Sequence, residues 1–285
     1  MKQTTIKHSV SLEGPVVHDD RASLITLRPA PLDHGIVFLS SGVRIPALVT
    51  YLNEAITKWT TLSRNGVDVH CVEHLLSAIG GMGITNLVVE VKGSGIPFLD
   101  GSSQGFVDAL SDPEEQDKEC FVLPVTPKVV YENAIDFETG KVTSRRSFLC
   151  CFPWPTLRVM YDLDYQGVPL PAQLEDLEIT TLTYASLSRA RTFMTTWEIE
   201  RWRGTLLGHK FCDAIPKIPF EERIENEAAK HKILDIIGDI ALLGLPARGM
   251  FIGIRSGHSL NKKLVGSYVG RNSRGKRWSG VLRCH

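Results

Sequence analysis

The chain has 285 residues, 43% of them hydrophobic, which suits about two ordinary domains and excludes a disordered composition. Lys plus Arg and Asp plus Glu are equal at 32 each, so no global field draws the chain toward nucleic acid and no such partner is expected. Residues 1–14 lack the apolar run of a secretory signal, no stretch approaches the ~20 apolar residues of a membrane span, and the six cysteines form no CxxC pair, so the expectation is a soluble cytoplasmic protein with free thiols.

In chain order, residues 22–27 and 35–38 are strand-like runs separated by Pro and Gly turns. Val72, Leu75, Leu76 and Ile79 recur at i, i+3, i+4 and i+7, predicting a helix that Gly80-Gly81 ends. Residues 86–91 read as a strand. Residues 111–119, with Pro113 and five acidic side chains, predict the approach to a domain boundary, giving an N-terminal domain of residues 1–119 and a C-terminal one of 120–285. The second half repeats the order. Residues 157–161 predict a strand, and a long helix starts near Glu221 with Ile233, Ile236, Ile237 and Ile240 as its apolar stripe. Gly244 and Pro246 stop it, and residues 250–254 make another strand. Each half thus carries a helix with a histidine, a Gly-rich stop and an apolar strand. This weak internal repeat predicts two similar α+β domains facing each other.

The chemistry-bearing residues sit on those helices. His231 and Asp235 are one turn apart on one face, opposite the isoleucine stripe, where an imidazole and a carboxylate can share one Zn²⁺. The same spacing equally makes an i,i+4 ion pair in solvent. His74 points away from the apolar face of its helix, and two His with one carboxylate are a catalytic zinc set with a position left for water. Glu73 beside it is placed to take a proton from that water.

Five motifs then occur in order: Val72-Glu73-His74-Leu75-Leu76-Ser77-Ala78; Ile96-Pro97-Phe98-Leu99-Asp100-Gly101-Ser102; Ala190-Arg191-Thr192-Phe193; His231-Lys232-Ile233-Leu234-Asp235 with Ile237-Gly238-Asp239; and Ser256-Gly257-His258-Ser259-Leu260-Asn261. Together, over about residues 4–264, they resemble the UDP-3-O-acyl-N-acetylglucosamine deacetylase family, zinc enzymes of lipid A biosynthesis in Gram-negative bacteria. The resemblance implies two α+β domains, each a β-sheet packed by helices, with the active site between them. It implies zinc, with Fe²⁺ able to replace it, on His74, His231 and Asp235. Glu73 is then the general base, and His258 the cation that steadies the oxyanion and protonates the leaving amine. Asp239 orients His258, Thr192 stabilises the tetrahedral intermediate, Phe193 packs on the sugar, and Lys232 meets substrate phosphate. The implied partner is an acylated UDP-amino-sugar, handled by a monomer with at most peripheral membrane contact.

Three segments depart from the family pattern. A Gly-Leu-His-Ser/Thr-Gly turn appears as Gly14-Pro15-Val16-Val17-His18-Asp19-Asp20, which keeps His18 as a substrate contact but adds two acids. Near a diphosphate such charge is unfavourable, so either the loop points away or the substrate differs. A Gly-Gly-Ser stretch near the acyl chain reads Gly208-His209-Lys210, and a basic tail, residues 270–285, suggests weak attraction to anionic lipid. These departures keep two other readings open: the same chemistry on another acylated amino sugar, or a non-catalytic paralogue that binds lipid or nucleotide sugar.

Overall fold

A computed structural model of the chain describes residues 1–136 and 141–268; the basic tail lies outside them. The first half runs β1 (Lys2–Ile6), β2 (Val10–Pro15), β3 (Ala22–Pro29), β4 (Ile36–Ser40), β5 (Val43–Pro46), the hairpin β6 (Leu62–Arg64) and β7 (Val67–Val69), α1 (Glu73–Gly81), β8 (Leu87–Lys92), α2 (Gln104–Ala109) and β9 (Pro113–Glu119). The second runs β10 (Leu123–Pro124), β11 (Lys128–Ile135), β12 (Val142–Phe152), β13 (Leu157–Leu163), β14 (Gln173–Glu178), α3 (Thr181–Leu187), α4 (Thr196–Trp202), α5 (His209–Ala214), α6 (Glu227–Ile240), β15 (Ala247–Ile254) and α7 (His258–Gly266).

The internal repeat is a repeat of topology. The sheets have orders β2-β3-β8-β4-β5 and β11-β12-β15-β13-β14. In each, the strand that follows the main helix enters the centre, parallel to one neighbour and antiparallel to the other. Strand alternation turns one face of each sheet inward: Ile25, Leu27, Phe38 and Val89 from the first, Leu149, Val159, Tyr161 and Phe251 from the second. These join α1 and α6 in one continuous buried cluster, so the helices lie between the two sheets. The α+β architecture of two similar sheet-and-helix halves follows. No helix among the described residues is long and apolar enough to cross a membrane.

One segment and two helix boundaries differ from expectation. Residues 113–119 form an antiparallel ladder with β1, although nearly every side chain is exposed. Backbone pairing and ion pairs such as Lys2–Asp117, rather than burial, make that strand, so its sequence carries no alternation. Beyond it, Leu123 already pairs with Ala247 in the second sheet. The long helix starts at Glu227, not near Glu221. Asn226 takes a left-handed φ of 52°, and the buried Glu227 carboxylate accepts from Arg191 and from the Arg223 N–H, pulling residues 221–226 into a turn. Finally, α1 includes Gly80 and Gly81 and turns at Gly83, whose φ is +70°.

Two glycines permit close approach instead. A Cβ on Gly81 would lie 2.2 Å from the Tyr184 ring, and one on Gly238 would lie 2.1 Å from the Glu73 carbonyl oxygen. Gly238 therefore lets α6 touch the start of α1, which brings His74 to His231 and Asp235. Replacing Gly238 with Ala is expected to cost more than the ~1–3 kcal/mol of ordinary overpacking, because the clash is with backbone. Thermal melting checks this; an unchanged Tm would count against the close approach.

Candidate active site

Glu73 and His74 open α1, His258 opens α7, and His231, Lys232, Asp235 and Asp239 follow one another along α6. α6 is buried on nearly all sides, since it is clasped between α1, α7 and β13. His231 and Asp235, with side chains only 1% and 3% exposed, are therefore not a solvated ion pair.

Three donor groups converge. Asp235 Oδ1 lies 3.3 Å from His231 Nε2 and 3.7 Å from His74 Nε2, and one donor atom of each residue lies within 4.8 Å of the others. The Ala190 carbonyl can only accept, so His231 Nδ1–H donates to it at 3.1 Å and leaves the Nε2 lone pair facing the cluster. Burial, with His231 alongside, pushes His74 down to about 3, so its imidazole is neutral at physiological pH. Burial opposes ionisation of Asp235, yet the Lys232 ammonium 3.0 Å from Oδ2 and the imidazoles of His231 and His258 hold it well below the usual carboxylate range. Asp235 Oδ1 is buried without a hydrogen-bond partner. A bare anionic oxygen beside two imidazole nitrogens, that of His74 neutral, is costly unless a cation joins them. The donor set fits a divalent metal such as zinc, and iron(II) nearly as well.

An acid–base pair stands next to this cluster. Glu73 is buried, its Oε2 accepting the Thr60 N–H at 3.0 Å while Oε1 lies 3.7 Å from His258 Nε2. Burial raises the Glu73 carboxyl to about 7, with Asp239 and Asp235 adding to the effect. Burial disfavours the charge on His258, but Asp239, Asp235 and Glu73 around it raise it to about 9. Its Nδ1–H donates to Asp239 Oδ2 at 2.8 Å, so the pair stays oriented with Nε2 toward Glu73 and Asp235. A carboxyl near neutrality beside an imidazolium can move one proton off a nucleophile and another onto a leaving group.

Both groups line one cavity. Thr192 and Phe193 form part of its wall, and Lys232 Nζ sits 5.4 Å over the Phe193 ring. Away from the donors the wall becomes apolar, through Trp59, Phe98, Leu207 and Phe211. His18 is not part of this wall. It bonds Ser94 Oγ at 2.9 Å and packs its ring 4.4 Å from that of His70.

The departing segments meet each other at the apolar end. Val17 lines the cavity, and its carbonyl accepts the Gly208 N–H at 2.9 Å. Asp20 accepts the Lys210 N–H at 2.7 Å, and Lys210 Nζ donates to the Asp20 carbonyl at 2.9 Å. Asp19 is paired with Arg21 at 2.8 Å. The acids are thus matched locally; a second pocket is lined by Glu132, Asp164, Arg145 and Arg255, with both arginines paired to Asp164. His209 is exposed and lies apart from the His74, His231 and Asp235 cluster.

Sequence reasoning missed Thr60 and Asn261. Thr60 Oγ1–H and Asn261 Nδ2–H both donate to Asp239, at 2.5 and 2.9 Å. Asn261 lies inside the last of the five motifs, one turn beyond His258, where helical spacing is the available signal; Thr60 carries no local one.

A family model described as UDP-3-O-acyl N-acetylglycosamine deacetylase matches residues 3–269. Proteins named UDP-3-O-acyl-N-acetylglucosamine deacetylase are similar along nearly their whole lengths. That of Xanthomonas axonopodis pv. citri is 34% identical over 281 residues, covering 93% of this chain and 89% of its own. That of Pseudomonas entomophila is 36% identical over 282 residues, with the same coverage, and that of Oleidesulfovibrio alaskensis 36% over 275, covering 92% and 87%.

Proposed function

The chain belongs to the UDP-3-O-acyl-N-acetylglucosamine deacetylase family and removes the N-acetyl group of that substrate in lipid A biosynthesis, and we propose that His74, His231 and Asp235 hold the metal, zinc by preference, on which this depends. The observation that carries the proposal is the bare Asp235 oxygen facing two imidazole nitrogens beside an oriented acid–base pair. When bound, such an ion supplies Lewis-acid polarisation and brings a water toward a pKa of about 7.

The chain's own residues do the rest. Glu73 Oε1 takes the proton of the attacking water, and His258 Nε2 gives a proton to the nitrogen as the C–N bond breaks, releasing acetate and the free amine. Asp239 keeps His258 cationic and aimed, and the same charge steadies the oxyanion. Thr192 sits at the wall where its hydroxyl can meet that oxygen, and Phe193 offers a flat surface to the sugar ring. Lys232 holds Asp235 anionic and, lining the cavity, is the ammonium given to substrate phosphate. The apolar end of the cavity takes the acyl chain. His18 acts from behind the wall, supporting Trp59. The division of labour follows a division of the chain near residue 119, the first part carrying Glu73 and His74 and the second the α6 and α7 groups. We place the enzyme in the cytoplasm as a monomer with at most peripheral membrane contact; Cys71, Cys150, Cys151 and Cys212 are free thiols, as a reducing compartment allows.

Acetate release from acylated UDP-N-acetylglucosamine, compared with its unacylated counterpart, tests the reading. Turnover should need the acyl chain, with a kcat/KM advantage of about 10²-fold or more from apolar burial. Equal turnover of both sugars would remove the role given to the apolar end.

A further inference from the structure

Two buried residues beside the site take no part in the chemistry described above. Thr60 is fully buried and Lys262 is 8% exposed. The Thr60 N–H donates to Glu73 Oε2 at 3.0 Å, and its hydroxyl donates to Asp239 Oδ1 at 2.5 Å. One residue therefore anchors both the carboxylate that accepts the water proton and the carboxylate that orients the acid. The Thr60 carbonyl is also engaged, accepting the Val72 N–H at 3.1 Å just ahead of α1. Lys262, one turn beyond His258 on α7, donates to the carbonyls of Ile56 and Trp59 at 2.7 and 2.6 Å, fixing the segment that leads into Thr60.

These anchors oppose a specific collapse. Glu73 Oε1 and His258 Nε2 carry opposite charges in the working state and stand 3.7 Å apart. A small rotation of either carboxylate would close that gap to a direct ion pair of about 2.7–2.9 Å, withdrawing both groups from substrate. Glu73 held through Oε2, and Asp239 held through Oδ1, cannot rotate freely. We propose that Thr60 is a positioning residue that keeps Glu73 and His258 apart and aimed, and that Lys262 sets Thr60 by clamping residues 56–59. The proposal rests on the roles assigned above to Glu73 and His258.

The test uses metal-loaded enzyme and the acylated UDP-sugar, with Thr60→Val, Thr60→Ser and Lys262→Met. Removing one hydrogen bond to a charged group should lower kcat of Thr60→Val by about 10- to 100-fold. KM should stay within about twofold and metal content should be unchanged, because neither residue touches substrate or metal donors. Thr60→Ser, which keeps the hydroxyl, should recover kcat to within a few-fold, and Lys262→Met should lose about 10-fold. Wild-type kcat in Thr60→Val, equal losses in the Val and Ser variants, or a loss confined to KM or metal content would each overturn the inference. Should Thr60→Val not fold, wild-type kcat in folded Lys262→Met overturns it equally. If Glu73→Gln itself keeps full activity, the acid–base assignment fails first; if it is inactive while Thr60→Val is not, only the positioning role fails.

Discussion

Replacing Glu73 with Gln is expected to lower kcat about 10³-fold, within the range for removing a general base, while leaving metal content and KM near their original values. The amide keeps the shape and can still meet the Thr60 N–H through its oxygen, so the loss isolates the proton-accepting oxygen rather than the packing. The same pair predicts a bell-shaped pH profile. Glu73 works only when ionised, so the rate climbs as pH rises through its value of about 7. His258 works only when protonated, so the rate falls as pH rises through about 9. A bound divalent cation favours the Glu73 carboxylate and the neutral imidazole, so both limbs move toward lower pH in the loaded enzyme. The Gln variant should lose the acidic limb. Retention of that limb, or a kcat within tenfold of wild type, would reassign the base.

Loss of the metal donors has the largest expected effect. Asp235→Ala removes the anionic ligand and leaves the half-buried Lys232 ammonium without its carboxylate, so both metal affinity and activity should collapse. His231→Ala removes an imidazole fixed by the Ala190 carbonyl. Outer partners of metal ligands typically matter 10–100-fold, and direct ligands more, so turnover should fall by at least about 10³-fold in either variant. Far-ultraviolet circular dichroism should show the fold retained, since the core cluster is continuous on both sides of α6.

Much of this was legible in the sequence because the site uses helix registers. His231, Asp235 and Asp239 repeat at single turns, and Glu73-His74 opens a helix whose apolar stripe is plain. The hidden part depends on what those helices touch. Spacing could not tell a solvated His231–Asp235 pair from a buried one, because the burial comes from α1 and α7 packing on α6. Nothing local to Gly238 marks it as the position against which the Glu73 backbone packs. Thr60 reaches Asp239 across 179 positions of sequence, and no periodic pattern encodes such a pairing. The 113–119 strand escaped for the opposite reason: its pairing to β1 is made by backbone, so its side chains remain polar. The acids at Asp19 and Asp20 looked out of place beside a diphosphate, and the structure pairs them with Arg21 and Lys210 at the apolar end of the cavity.

The central claim, that His74, His231 and Asp235 form the metal site of the deacetylation reaction, is tested most directly by stripping the protein with a chelator and titrating zinc back. Acetate release from the acylated UDP-sugar is followed together with bound metal. Activity should vanish on stripping and return in proportion to zinc up to one equivalent, with Asp235→Ala neither binding that equivalent nor recovering. Full turnover by stripped protein, or stoichiometric zinc binding by Asp235→Ala with activity restored, would contradict it.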